Sequence, residues 1–134
     1  MQESRKGTLL RKDLEESDLT EKIIGAAIAV HKALGPGFIE SVYETALVHE
    51  LAKRGMKVGQ QIEVPVMYDG IEAGRHRLDL FVEDKIVVEL KAVHNLEDVH
   101  FSVVRSYLKA VKQRNGLLLN FSAPVLEIKR VIVS

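Results

Sequence analysis

The sequence predicts an α/β fold (α+β in some schemes): a mixed sheet flanked by helices, laid down as helix, helix, three strands, helix, strand, strand. Three observations carry that expectation. Apolar residues recur at three- and four-residue spacing over residues 23–34, 39–51 and 99–111. Between them the period shortens to two, or the segment is apolar throughout, over residues 62–66, 78–82 and 86–90. A helical segment then separates the third strand from the fourth, which calls for a right-handed crossover and a parallel pair inside the sheet.

The elements follow in order. Residues 1–16 are polar, rich in both charges, and read as a loosely held, flexible arm, followed by a single domain over 17–134. Ser17 or Asp18 can cap the first helix, with Glu21 placed for a capping box. Ile23, Ile24, Ala27, Ile28, His31 and Leu34 form its apolar face, and Gly35-Pro36-Gly37 ends it. A second helix runs from about Phe38 to Arg54 and buries Ile39, Val42, Tyr43, Ala46, Leu47 and Leu51. Ile62, Val64 and Val66 alternate in the first strand, and Tyr68-Asp69-Gly70 turns the chain. Leu78–Val82 and Ile86–Leu90 form a second hairpin across Glu83-Asp84-Lys85; the latter strand is apolar on both faces and belongs at the centre of the sheet. A helix from about Glu97 to Gln113, then strands over 116–121 and 126–133, complete the chain.

Composition limits the chemistry. The 134 residues carry 19 Lys+Arg against 19 Asp+Glu, with 46% hydrophobic and 28% charged residues and no cysteine. That is an ordinary globular composition for one domain. Disulfide scaffolds, thiolate zinc sites and thiol nucleophiles are excluded, and balanced charge argues against bulk electrostatic coating of nucleic acid. The N-terminal residues lack the apolar core of a signal peptide, so a cytoplasmic protein is expected. No glycine-rich phosphate loop or Ser-His-Asp arrangement is present.

The chemistry lies in the second hairpin. Asp79 and Glu89 put one carboxylate into each of two adjacent apolar strands, and Lys91 follows Glu89 on the same strand face. Two carboxylates about 5 Å apart repel by roughly 3 kcal/mol at an effective dielectric near 20. Lys91 offsets part of this; a hard divalent cation, Mg²⁺ or Mn²⁺, offsets more. A two-residue loop at Glu83-Asp84 would set Asp79 against Val88, whereas a three-residue loop sets it against Glu89. Glu-Asp is a poor pair for the positive φ of a two-residue primed turn, so turn chemistry favours the register that builds the site. On the second helix Glu40 falls at the edge of the apolar stripe and is the better third acid; Glu44 lies further out as a solvated or supporting residue.

Several blocks together resemble a known family. Gly37, Glu40, Tyr43 and Glu44 fit G-x-x-E-x-x-Y-E, preceded by Val30-His31 and Leu34-Gly35-Pro36-Gly37. Arg77-Leu78-Asp79-Leu80, Val88-Glu89-Leu90-Lys91, Tyr107-Leu108-Lys109 and the block from Gly116 to Asn120-Phe121 are similar to its later segments. The chain thus resembles the GxxExxY family of the PD-(D/E)XK nuclease-like superfamily from about residue 18 to 133. The resemblance implies a restriction-endonuclease-like αβββαβ core, here with an extra N-terminal helix and a C-terminal strand. It also implies Mg²⁺-dependent hydrolysis of nucleic-acid phosphodiesters, DNA rather than RNA. Asp79 and Glu89 would ligate the metal with the carbonyl of Leu90, Glu40 would match the helical acid, and Lys91 would position or polarise the attacking water. Leu78 stands where the superfamily name has Pro. Val103 stands where many related nucleases carry Gln, which opens the alternative of a non-catalytic binding or interaction module.

Around this centre Arg75, Arg77, Arg105 and Lys109 would form a basic rim for phosphate. His31 reads as a hydrogen-bonded core histidine, while His94 and His100 flank the third helix. So short a chain holds the core and little else, so that substrate selection would fall to a second copy or a partner protein.

Overall fold

The computed structural model describes the backbone of residues 2–134 and the side chains of residues 15–134. Among them are three helices, α1 (Gln2–Leu34), α2 (Glu40–Lys53) and α3 (Asp98–Val111). Five strands, β1 (Val58–Tyr68), β2 (Ile71–Val82), β3 (Ile86–Lys91), β4 (Asn115–Asn120) and β5 (Glu127–Ile132), form one sheet in the order β1-β2-β3-β4-β5. All neighbours are antiparallel except β3 and β4, which are parallel across α3. The expected mixed sheet and helix order are therefore present, with β3 in the centre and Ile86 to Leu90 all buried.

Helix α1 does not begin at Ser17 or Asp18. It passes through both, and the capping box is not used. The preceding segment holds Leu, Arg, Lys and Glu with no Pro, so the helical ladder has no reason to stop there. Glu16, at the end of the expected arm, is buried and accepts a hydrogen bond from Asn115 Nδ2 at 2.8 Å. For the remainder of that arm, the side chains of residues 1–14 lie outside the described residues.

The sheet separates two apolar cores. On one face α1 and α2 bring Ile23, Ala27, Tyr43, Leu47 and Leu51 against Leu80, Val82, Val88, Leu90, Leu117 and Leu119. On the other, α3 packs Val104, Tyr107 and Leu108 against Val64, Leu78, Val87, Leu118 and Val131. Gly116 is what lets α3 approach: a Cβ there would lie 2.9 Å from Val104 Cγ1 and 3.2 Å from the carbonyl of Val87. Helix α3 starts with a reciprocal cap, in which the Glu97 side chain accepts from the backbone of His100 and His100 Nδ1 accepts the Glu97 N–H at 2.9 Å.

Two strands differ from expectation. Strand β2 begins at Ile71, not near Leu78, because residues 71–77 are exposed on both faces and leave no apolar alternation to read. The β2–β3 loop is the three-residue one, with Val82 opposite Ile86 and Leu80 opposite Val88. Glu83 and Asp84 nevertheless adopt φ of 54° and 53°, the conformation for which their residue types are ill suited. Lys57 holds them there: Glu83 exchanges hydrogen bonds with its backbone N–H and carbonyl at 2.6 and 2.8 Å, and Asp84 Oδ2 meets its Nζ at 2.8 Å. These contacts offset a left-handed cost of roughly 1–2 kcal/mol per residue. The register was right; the turn-residue argument for it was incomplete.

Candidate active site

Strand β2 parts from β3 at Asp79. Its ladder with β3 ends at the Leu80–Val88 pair, while with β1 it continues far beyond. Side chains fill the opening. Glu89 Oε1 accepts the backbone N–H of Asp79 at 3.3 Å, and Asp79 Oδ2 accepts the N–H of Leu90 at 2.9 Å. Two carboxylates therefore stand in for the next rung of the sheet and turn into its plane.

The same point inverts the side-chain pattern of the β1–β2 hairpin. Leu80, Val82 and Val58 pack with α1 and α2, whereas Leu78, Ile62 and Val64, of the same parity, pack with α3. Regular strands keep one parity on one face, so both strands switch faces between these residues. Gln61, across from Asp79 in the register, has φ of 52°. As a result the consecutive residues Gln60 and Gln61 both reach Glu44 on α2. Gln60 Nε2 donates to Glu44 Oε2 at 2.7 Å, and Gln61 Nε2 donates to the two Glu44 oxygens at 2.8 and 2.9 Å and towards Asp79 Oδ1 at 3.4 Å.

Burial dominates the electrostatics. Glu89 is 5% exposed. Desolvation first, and the Asp79 charge second, push its carboxyl up to about 8, with Lys91 pulling modestly the other way. The Asp79 carboxyl is also raised, by desolvation, despite the N–H of Leu90; Glu44 adds to the rise. Tyr107 lines the α3 side, donating its hydroxyl to the carbonyl of Arg77 at 3.0 Å. Burial and then the charges of Glu89 and Asp79 drive its own proton loss up to about 12.

The expected site residues are partly gathered. Asp79 and Glu89 meet, and Lys91 follows on β3, half-buried and acting on Glu89 through its charge. The side chain of Leu90 is buried in the α1/α2 core, and its N–H is given to Asp79. Glu40 is exposed at the first position of α2, whereas Glu44, one turn on, reaches the cluster through Gln61. The helical wheel set Glu40 at the edge of the apolar stripe and Glu44 further out, and did not give their height above the sheet.

The four rim cations do not converge. Arg77 and Arg75 pair with Glu63 at 3.1 and 3.4 Å, and Arg75 also meets Glu72 at 3.2 Å. Their parity places them on the hairpin face away from α3, since His76 between them packs on Tyr107. Arg105 and Lys109 belong to α3; Arg105 donates to Ser102 Oγ at 3.1 Å. Lys109 borders an open groove of about 450 Å³ with Pro65, Val66, Met67, His76 and Tyr107. His31 is the core histidine expected, buried with Nε2 2.9 Å from the carbonyl of Ala123.

Two supporting residues carried no role in the sequence reading. Tyr43 donates to the carbonyl of Gly35 at 2.6 Å, accepts the N–H of Phe38 at 3.1 Å and stacks on Phe121 at 4.6 Å. It fixes the loop that launches α2 and so the height of Glu44. Asn120, wholly buried, accepts the N–H of Val93 at 3.1 Å and donates to its carbonyl at 2.9 Å, tying the end of β4 to the chain just beyond Lys91. Both stood inside quoted blocks; only their partners were hidden.

A comparison with protein families matches residues 17–131 to the model of the PD-(D/E)XK nuclease superfamily. The chain belongs to that superfamily. Neither curated proteins nor solved structures gave a match. Membership in the PD-(D/E)XK superfamily accounts for the carboxylates at the parting of β2 and β3 and implies a divalent metal. The donor set fits one: hard oxygens in a buried pair of acids whose charges lack a direct cationic partner. Among the described residues, no group of three or more His, Asp or Glu forms a protein-only metal cage. Also among the described residues, no helix is long and apolar enough to cross a membrane.

Proposed function

We propose that the protein is a Mg²⁺- or Mn²⁺-dependent nuclease of the GxxExxY group that hydrolyses phosphodiester bonds, in DNA rather than RNA. The observation that carries it is the reciprocal clasp of Asp79 and Glu89 within the field of the Lys91 ammonium two residues along the same strand. Asp79 and Glu89 would hold the ion, with Glu44 closer to them than Glu40 and with a carbonyl of Leu90 within the same stretch of β3. Bound there, a divalent metal lowers the pKa of its water and screens the phosphate from the carboxylates.

The remaining tasks fall to the chain itself. Lys91 is free to hold the attacking water or to neutralise charge on the phosphorus oxygens. Tyr107, protonated at any physiological pH, walls the site without adding charge. Lys109 and Arg105 offer phosphate contacts along α3, while Arg75 and Arg77 first have to leave Glu63. Substrate selection would come from a second copy or a partner protein, and the work would be done in the cytoplasm.

The test is a paired substitution. Lys91→Ala should bind Mn²⁺ as the wild type does yet cleave DNA at least 100-fold more slowly, whereas Glu89→Ala should lose both. Cleavage unaffected by Glu89→Ala would sink the reading. One observation favours a second reading, a non-catalytic nucleic-acid or protein-binding module: Val103 packs on the α3 core where many related nucleases carry Gln. Metal-independent binding without cleavage of single- or double-stranded DNA or RNA would select it.

A further inference from the structure

The least expected backbone in the site belongs to Gln61. Its φ of 52° is one that an L side chain rarely adopts and that glycine would take freely. Yet its amide nitrogen is aimed at two acids: Glu44 at 2.8 and 2.9 Å and Asp79 at 3.4 Å. The contrast with Glu83 and Asp84 is informative. Those residues are held left-handed by one lysine at a loop, whereas Gln61 sits inside an 11-residue strand where no turn is needed.

Asp79 shows what the distortion achieves. One of its oxygens, Oδ2, is fixed by the N–H of Leu90 at 2.9 Å. The other, Oδ1, is met by the amide of Gln61. Two donors on two oxygens define the carboxylate plane. The same amide lies between Asp79 and Glu44, acids whose charges oppose one another, so it supplies the N–H dipole that lets them approach. In a regular strand Gln61 would point to the opposite face from Gln60, so the two could not both reach Glu44 and the Gln61 amide could not bridge Glu44 and Asp79.

We infer that Gln61 is a positioning residue, whose amide bridges Glu44 and Asp79 and sets the direction in which Asp79 offers its oxygens to a divalent cation. The inference rests on the reading of the carboxylate pair as a cation site. Groups that hold the ligands of a metal typically change its affinity 10- to 100-fold when removed.

Glycine at position 61 separates this role from a merely structural one, because it suits the backbone and removes the amide. In the full chain, Gln61→Gly should melt at the same temperature as the wild type or higher without metal, and bind Mn²⁺ 10- to 100-fold more weakly by calorimetric titration. Mn²⁺ affinity within two-fold of wild type overturns the inference. So does a weaker affinity accompanied by a lower metal-free melting temperature, which would assign Gln61 to the scaffold. A wild-type protein that takes up no Mn²⁺ overturns the cation reading instead. The hold on Asp79 is then decided by a double-mutant cycle of Gln61→Gly and Asp79→Asn in urea unfolding: a coupling of three-fold or more in the unfolding constant supports it, and additivity overturns it.

Discussion

Glu89 accepts the backbone N–H of Asp79 at 3.3 Å, ten residues away along the chain, at the point where their strands cease to pair. A side chain thus closes a rung that the backbone leaves open. This makes the stability of the sheet and the charge of the site a single quantity, since deprotonating Glu89 puts a second negative charge into the opening.

The first prediction is a stability that falls with rising pH in the metal-free protein. Glu89 has its carboxyl raised from 4.5 to about 8 on folding, so between those values the native state holds a proton that the unfolded chain has lost. The stabilisation is complete below pH 4.5 and is lost as pH rises through about 8. Asp79 is shifted in the same direction. Allowing for relaxation around the pair, the loss should be about 2–4 kcal/mol. Urea unfolding at pH 5 and pH 9 measures it. Glu89→Gln or saturating Mg²⁺ should flatten the slope; a flat profile in the metal-free wild type would refute the account.

A second prediction concerns Asn120. Its side chain satisfies both backbone groups of Val93, the N–H of Ser122 at 3.3 Å and Glu127 at 3.2 Å. Asn120→Ala should cost about 2–3 kcal/mol, the scale of buried groups left unpaired. It should also speed hydrogen exchange at the amide of Val93, which lies two residues beyond Lys91. Normal protection at that amide would show that the tie does not matter.

The packing of α3 gives a third. Gly116→Ala places a methyl against Val104, Leu108 and the Val87 carbonyl. It should lower stability by about 1–3 kcal/mol, as overpacking does, with metal binding retained because the added methyl meets Val104, Leu108 and Val87 and neither Asp79 nor Glu89. A thermal scan with and without Mn²⁺ reads both. An unchanged melting temperature would mean that α3 sits further from β4 than described.

The fourth is electrostatic. Glu63 holds Arg75 and Arg77, so Glu63→Gln should release Arg77, leave Arg75 with Glu72, and strengthen DNA binding several-fold at low salt. Lys109→Ala should weaken it and lower the slope of log affinity against log salt by about 0.7–0.9 if the lysine meets one phosphate. Fluorescence anisotropy across a salt series reports both slopes. An unchanged slope in Lys109→Ala would remove that lysine from the interface.

The sequence was most legible where burial enforces period. The continuous apolar run of β3 marked the central strand, and carboxylates inside apolar strands marked the site, because charges there are too costly to be incidental. It was least legible where tertiary contacts override local preference. Nothing local in Gln60-Gln61 announces a left-handed residue; two acids and two cores impose it. Glu40 and Glu44 differ by one helical turn, and only the loop pinned by Tyr43 decides which stands over the sheet. Helix α1 continued through Ser17 and Asp18 because capping residues also tolerate a helix interior. The rim of Arg75 and Arg77 was read from proximity in sequence to Asp79, which does not show that Glu63 on β1 pairs with both.

That inversion also governs how the site could change. Straightening β1 and β2 at Gln61 and Asp79 would relieve a strained backbone, but it would turn either Leu78, Ile62 and Val64 or Leu80, Val82 and Val58 out into water. The apolar residues on either side act as counterweights on a lever whose fulcrum is Asp79. No single substitution can flatten the fulcrum while the weights remain, so the geometry of the acids is guarded by apolar side chains anchored in the two cores.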